Sequence, residues 1–428
     1  MNKIKIKKTA VSYIPEKLIN PFGFKGKYIS ELWQTVVLIQ SENFTAIMPS
    51  TQSVLWSDSA VFNSCLPEES NALMLDVTKK ALQMIENATF SRPDILLDEI
   101  LKDLSDYADK LCGRTVRRTF VLNSLVGIDC ALWSIFANEN GITDFDGIIP
   151  DYAQKALSFR HLSLAHIPLI SYGVTAQHLK SILQDGTALL KIKIGACVDK
   201  SSHSADMKSM LEQDKKRISE IHDIAKNYST PLTKSGKICY YLDANGRYES
   251  LSQLESLLDY ADKIGCLQDI SLLEEPFDEQ NDIDVSSLPI AVNADESAHS
   301  LEDVKKKIFL GYKAVALKPI AKTLSISFKM AAAIDAVGGQ CLCADLTVNP
   351  LLSEWNKQFA ARIAPISAMN TGCVEVNGDQ NYVTWESQKL LMPQGLSYHN
   401  AINGRFICDN DFYTSSGKLF KTNKYKIN

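Results

Sequence analysis

The sequence predicts an α/β protein: a (β/α)8 barrel of TIM type, with an N-terminal α+β capping domain completed by the C-terminal tail. Three observations carry this. From about residue 165 onward, eight short β-rich runs alternate with stretches of helical periodicity. In most runs one alternate set of positions is aliphatic, while the other becomes charged toward the C-terminal end. The first 160 residues lack this rhythm and read as antiparallel strands followed by helices.

The eight runs are IPLISYGV (167–174), ALLKIKIG (188–195), ICYYLDANG (238–246), ISLLEEPF (270–277), PIAVNADES (289–297), AVALKPIA (314–321), GQCLCADL (339–346) and GCVEVNG (372–378). Segments such as SQLESLLDYADKIG and SISFKMAAAIDAVGG between them carry helical spacing. The division this predicts is a capping domain over 1–160, a catalytic barrel over 161–385, and a segment over 386–428 that packs back on the cap.

Composition narrows the class. The chain has 428 residues, 45% hydrophobic and 22% charged, as expected of a globular enzyme. Forty-five basic against 50 acidic residues give a net charge of −5, which offers no footprint for nucleic acid. No apolar run approaches the ~18 residues of a spanning helix, so no membrane partner is expected. The basic start, MNKIKIKKTAVSY, is not followed by the apolar stretch of a signal peptide. Ten cysteines are scattered without a C-x-x-C pair. They read as reduced core residues of a cytoplasmic protein, the CLC at 341–343 included.

Side-chain alternation locates a candidate site. Leu189, Lys191 and Lys193 share a face, as do Tyr241, Asp243 and Asn245, Leu272 and Glu274, and Asn293 and Asp295. So do Ala314, Ala316 and Lys318; Cys341, Cys343 and Asp345; and Cys373, Glu375 and Asn377. These faces become charged where barrels build their sites, at the C-terminal strand ends. Two lysines in one apolar strand, alone, would fit an exposed edge strand. Beside three carboxylates and a third lysine, they read as pointing into a barrel mouth.

Asp243, Glu274 and Asp295 on successive strands repel one another unless a cation sits among them. An all-oxygen set favours a hard ion, Mg²⁺ first. Such an ion stabilises the charge that develops when a proton α to a carboxylate is removed. Lysine is a poor base at its ordinary pKa of about 10.4, but neighbouring ammoniums and a dication lower it. Lys193 is the candidate base, with Lys191 as its electrostatic neighbour. Lys318, across the barrel, faces the substrate's other side. Two bases on opposite faces are what a 1,1-proton transfer needs.

LKIKIG, LDANGRY, LEEPF, ADES and LKPIAK, in that order and at strand ends, closely resemble the muconate-lactonizing subgroup of the enolase superfamily. Sites of that superfamily pair a lysine or histidine base with Mg²⁺. The resemblance implies Asp243, Glu274 and Asp295 as metal ligands and Lys193 and Lys318 as acid/base catalysts. It covers the barrel, and the first domain resembles the family's cap. Reactions in the subgroup include dipeptide epimerisation, N-acyl amino acid racemisation, cycloisomerisation and dehydration to o-succinylbenzoate. Dipeptide epimerases of the family typically carry Asp-x-Asp at the eighth strand, where this chain has Glu375-Val376-Asn377. The expectation is therefore a racemase or epimerase acting on a small-molecule carboxylate, an amino-acid derivative or dipeptide, with a cationic group near Glu375 and Asp345. The alternative is a lyase on the same scaffold, and a binding protein that has lost the reaction ranks last because all five core positions are intact. The architecture resembles proteins that form homo-oligomers.

Asn245 is expected to orient a ligand rather than bind metal. Glu275 reads as support for the site or as facing the helices, and Glu296 and His299 stay unassigned. GFKGK (23–27) and MPSTQSVLW (48–56) fit capping loops over the barrel mouth, making Phe24 and Trp56 candidate substrate contacts, with packing an equal reading for each.

Overall fold

The computed structural model describes residues 3–24, 27–196, 207–393 and 400–427, with side chains throughout these except at 22–24 and 27. The Phe24 side chain, and with it that candidate contact, lies outside the described residues.

The N-terminal region forms an antiparallel meander of three strands, Lys8–Phe24, Lys27–Gln40 and Thr45–Gln52. Helices Pro67–Ile85, Pro93–Cys112 and Arg118–Glu139 pack with it. Pro93 at the first helical position, and Gly113 at φ +65° just past the last, bound the second of these helices. The third helix corrects the expectation that no run is long and apolar enough to span a membrane, because by length and hydropathy it is. The structure accounts for its composition, since that whole apolar stretch is buried inside the protein. Its one acidic residue before the C-terminal turn, Asp129, accepts hydrogen bonds from Ser325 N (2.9 Å) and Oγ (2.5 Å). Trp133 Nε1 donates to the same hydroxyl at 3.0 Å. Cap and barrel are thus fastened at the start of the barrel helix Leu324–Ala336.

The barrel strands are Ser163–Ile167 continued by Leu169–Ile170, then Leu189–Lys193, Cys239–Asp243, Ile270–Glu274, Val292–Ala294, Ala314–Leu317, Gln340–Cys343 and Gly372–Glu375. All pair in parallel. The ring closes through the first strand, whose two halves pair with different neighbours. Ser163–Ile167 pairs with the eighth strand and Leu169–Ile170 with the second. Pro168, which has no N–H to give, separates them, and its carbonyl still accepts from Lys191 N at 3.1 Å. The first run is expected at 167–174, whereas the structure starts that strand four residues earlier. SYGV lies beyond the strand.

Alternation holds on most strands. Ala165, Ile167, Leu189, Cys239, Tyr241, Leu272, Ala314, Leu342 and Cys373 form the inner plug. Leu190, Ile192, Tyr240, Leu242, Leu273, Val315, Leu317 and Val374 belong to the larger outer core. The seventh strand is the exception, since Leu342 rather than Cys341 and Cys343 belongs to the plug. The nine described cysteines are free thiols. The tail touches both barrel and cap. Its strand, Arg405–Ile407, pairs antiparallel with the first barrel strand, and near its end Asn423 Nδ2 reaches the cap by donating to Ile47 O at 2.7 Å.

Candidate active site

Strand register sets the site. Lys193 lies opposite Asp243, Asp243 opposite Glu274, and Glu274 opposite Asn293, with Asp295 two residues further on. The second and sixth strands stand opposite each other in the eight-stranded ring, and the three between them each supply one carboxylate. Lys193 and Lys318 therefore stand at the two ends of an acidic arc. After Lys193 the chain turns at Gly195, φ +79°, where a Cβ would lie 2.6 Å from Arg247 Cβ.

On the second-strand side, Lys191 Nζ lies 3.2 Å from Asp243 Oδ2, 3.2 Å from Glu274 Oε2 and 3.1 Å from Glu375 Oε2. Lys193 Nζ is 2.6 Å from Asp243 Oδ2 and also donates to Asn245 Oδ1. Asn245 Nδ2 donates to Glu296 Oε1 at 3.2 Å, so this amide orients a lysine on one side and a carboxylate on the other.

On the sixth-strand side, Lys318 Nζ is 2.5 Å from Asp295 Oδ2 and lies over the Trp56 ring, 4.6 Å from its centroid. Lys322, fully buried, takes the other oxygen, Asp295 Oδ1, at 3.1 Å. Glu275 Oε2 accepts from Asp295 N (2.7 Å) and Ser297 Oγ (3.0 Å) and so shapes the loop that carries Asp295.

A cavity of about 590 Å³, including its open mouth, is lined by Lys191, Lys193, Asp243, Asn245, Asp295, Glu296, Lys318, Asp345, Glu375 and Asn377. Its roof is apolar and comes largely from the cap, with Ile29, Leu32, Leu55 and Trp56. Glu274 is buried beneath it. His299 Nδ1 is 2.8 Å from Asp303 Oδ2 and is not part of the lining.

The carboxylates at the seventh and eighth strand ends are already engaged. Glu375 Oε2 takes Lys191 and Asp345 N (3.1 Å), while its Oε1 takes Asn377 Nδ2 at 2.7 Å. Asp345 Oδ2 accepts from Asn377 N at 2.6 Å. A cationic substrate group would have to compete with these partners. Burial, with Glu375 alongside, pushes the Asp345 carboxyl up to about 7.

Burial pushes Glu274 up to about 8, and burial together with Glu296 pushes Glu275 up to about 7. Burial would raise Asp295 too, but Lys318 and Lys322 outweigh it and hold that carboxyl far below its ordinary range. Asp243 is held low in the same way by Lys193 and Lys191. Among the protein's own groups, the lowering expected of a lysine base is reversed at Lys191 and Lys318. Burial favours it, but Glu274, Glu375 and Asp243 raise the first, and Asp295 and Glu296 the second.

The donor chemistry fits a hard divalent cation. Seven buried carboxyls (Asp243, Glu274, Glu275, Asp295, Glu296, Asp345 and Glu375) stand with five lysines, 191, 193, 307, 318 and 322, so carboxyls outnumber ammoniums. Glu296 Oε2 is buried without a hydrogen-bond partner, and Glu274 Oε2 has the Lys191 ammonium alongside while Oε1 takes its hydrogen bond. As the side chains stand, no three acidic, histidine or cysteine side chains among the described residues are arranged as a metal cage. The ammonium of Lys191 holds Asp243 and Glu274 together instead, and Asp295 lies with Lys318 and Lys322.

Sequence reasoning misses Lys322 as a site residue, although LKPIAK contains it. It lies past the strand, in a turn where alternation gives no direction. Thr323 follows at φ +74°, a backbone state costing roughly 1–3 kcal/mol for such a residue.

No protein-family model matches the sequence, and no curated protein matches it. Solved structures do. A mandelate racemase/muconate lactonizing protein from Herpetosiphon aurantiacus superposes with a TM-score of 0.66 at 14% identity, over 96% of this chain and 97% of that one. A dipeptide epimerase from Cytophaga hutchinsonii, complexed with Mg and the dipeptide D-Ala-L-Val, gives 0.65 at 14%, over 94% and 92%. An N-succinyl Arg/Lys racemase from Bacillus cereus gives 0.60 at 17%, over 89% of each chain. The class defined by this likeness is a fold: the capped barrel of the mandelate racemase/muconate lactonizing type. This chain has that fold over nearly its whole length.

Proposed function

We propose that this chain is an enolase-superfamily isomerase that racemises or epimerises an amino-acid derivative or dipeptide at the carbon α to a carboxylate. The observation that carries this reading is the acidic arc: Lys193 and Lys318 on opposite strands, with Asp243, Glu274 and Asp295 on the three strands between. Asp243, Glu274 and Asp295 would hold Mg²⁺, which supplies positive charge for the substrate carboxylate and for the enolate that develops. Lys193 takes the α-proton from one face and Lys318 returns one to the other, or the reverse, which inverts the centre. Asn245 keeps the Lys193 amine, or the ammonium it becomes on taking the proton, aimed along the arc. The apolar roof of Leu32, Leu55 and Trp56 keeps water from the carbanionic carbon.

The test is proton NMR in D₂O with Mg²⁺, on pooled L,L-dipeptides and N-acyl amino acids. Loss of an α-proton signal with the wild type, and not with the double variant Lys193→Ala/Lys318→Ala, supports the reading. Product with a new double bond and no deuterium in recovered substrate would replace it with a lyase. Absence of exchange in every pool would defeat the amino-acid assignment.

A further inference from the structure

We infer that Lys322 is a positioning residue that divides the work of the two Asp295 oxygens and thereby registers Lys318. The inference rests on the proposed function. Lys318 and Lys322 are four residues apart in a turn in which Lys322 N donates to Lys318 O at 2.7 Å. Their ammoniums converge on one carboxylate, one on each oxygen. They do so in different surroundings. Lys318 lines the cavity, whereas Lys322 does not and is fully buried.

Lys322 Nζ also lies 2.6 Å from Asp295 O, 2.8 Å from Ala298 O and 3.4 Å from Ala316 O. Ala316 belongs to the sixth strand, two residues before Lys318, and residues 295–298 are the loop after the fifth. One ammonium therefore stitches the ligand loop to the strand that carries the base. Because it also holds Oδ1, the carboxylate cannot rotate, and only Oδ2 is left for Lys318 and the cavity. Lys322 does not line the cavity, so it acts through Asp295 and the backbone it ties together. Among the described residues no lysine behind the cavity braces Asp243: its Oδ1 accepts from Asn245 N at 3.2 Å, and its Oδ2 is shared by Lys191 and Lys193, both of which line the cavity.

Without Lys322, Asp295 is free to turn both oxygens onto Lys318 and withdraw from the cavity. The test uses the full chain with Lys322→Met, Lys322→Gln (which keeps two N–H donors for the loop carbonyls) and Asp295→Asn, each checked for folding by circular dichroism and thermal melting. Calorimetric titration with Mg²⁺ alone is the first readout. Positioning predicts that Lys322→Gln binds Mg²⁺ at least tenfold more weakly, as Asp295→Asn does. Loss of a neighbouring positive charge alone would bind it more tightly, and unchanged or tighter binding overturns the inference. The second readout is α-proton exchange in D₂O from each enantiomer of whichever pooled compound the wild type exchanges. Lys322→Gln should silence the enantiomer that Lys318→Met silences, at least tenfold more than the other. Equal loss from both overturns positioning in favour of a general structural role. If the wild type exchanges nothing, the proposed function falls while the Mg²⁺ titration still decides the role of Lys322.

Discussion

The two ends of the acidic arc hold lysines in contrasting ways. At the second strand, Lys191 and Lys193 are spaced i, i+2 on a regular strand, and both side chains enter the cavity. At the sixth, Lys318 and Lys322 are spaced i, i+4 across a turn; one enters the cavity and the other is spent on backbone carbonyls behind it. The first end is therefore ordered by strand geometry, with Asn245 holding the tip of Lys193. The second needs an internal cation, a threonine in the left-handed φ region and a helix pinned from the cap to reach an equivalent aim.

The largest effect that could break this contrast is catalytic. Lys193→Met and Lys318→Met should each lower racemisation by about 10²–10⁴-fold, and each should spare α-proton exchange from a different enantiomer. If both variants lose the same enantiomer, the lysines do not stand on opposite faces of the substrate. Next comes the metal. Glu274→Gln, in the middle of the arc, should weaken Mg²⁺ binding about tenfold or more by calorimetry, with both enantiomers affected alike. A bias toward one enantiomer would place Glu274 with one end.

The remaining predictions concern stability. Gly195→Ala meets a positive φ and a 2.6 Å approach to Arg247 Cβ, and should cost about 1–3 kcal/mol in denaturant unfolding. A neutral result would mean the second end is less constrained than its turn implies. The smallest effect belongs to the brace at the sixth end. Burial raises the Asp129 carboxyl to about 6 against its Ser325 hydrogen bonds. The folded state then holds a proton that the unfolded chain releases from about pH 4 upward, so this group's contribution to stability falls as pH rises through the window from about 4 to 6. Between pH 7 and pH 5 the wild type should gain roughly 1 kcal/mol relative to Asp129→Asn. Thermal melts of both at the two pH values measure this, and parallel shifts would remove Asp129 from the account.

The same contrast explains what is legible in the sequence. Lys191, Lys193, Asp243 and Glu274 lie on strands, where period two assigns a face, and the structure places them on the expected faces. Asp295 and Lys318 lie just past strand ends and are legible only because motif and strand agree. Lys322 has no such periodicity behind it, and a lysine packed on carbonyl oxygens looks in sequence like any surface lysine. The seventh strand misleads because it is short and small-sided. Cys341, Leu342 and Cys343 are all apolar, so nothing in their chemistry fixes which parity faces inward. The engagement of Glu375 is equally hidden, since its partners Lys191 and Asp345 N come from strands far from it in sequence.

The buried apolar helix Arg118–Glu139 has a consequence for how the chain is made. Its tryptophan meets Ser325 across a separation of 192 residues. At about 5–20 residues per second, a ribosome needs roughly 10–40 s to supply that partner. During that interval a segment greasy enough for a bilayer has left the tunnel with only the cap's own sheet and helices to shelter it. Early closure of the cap is therefore a requirement of synthesis as well as of the finished site.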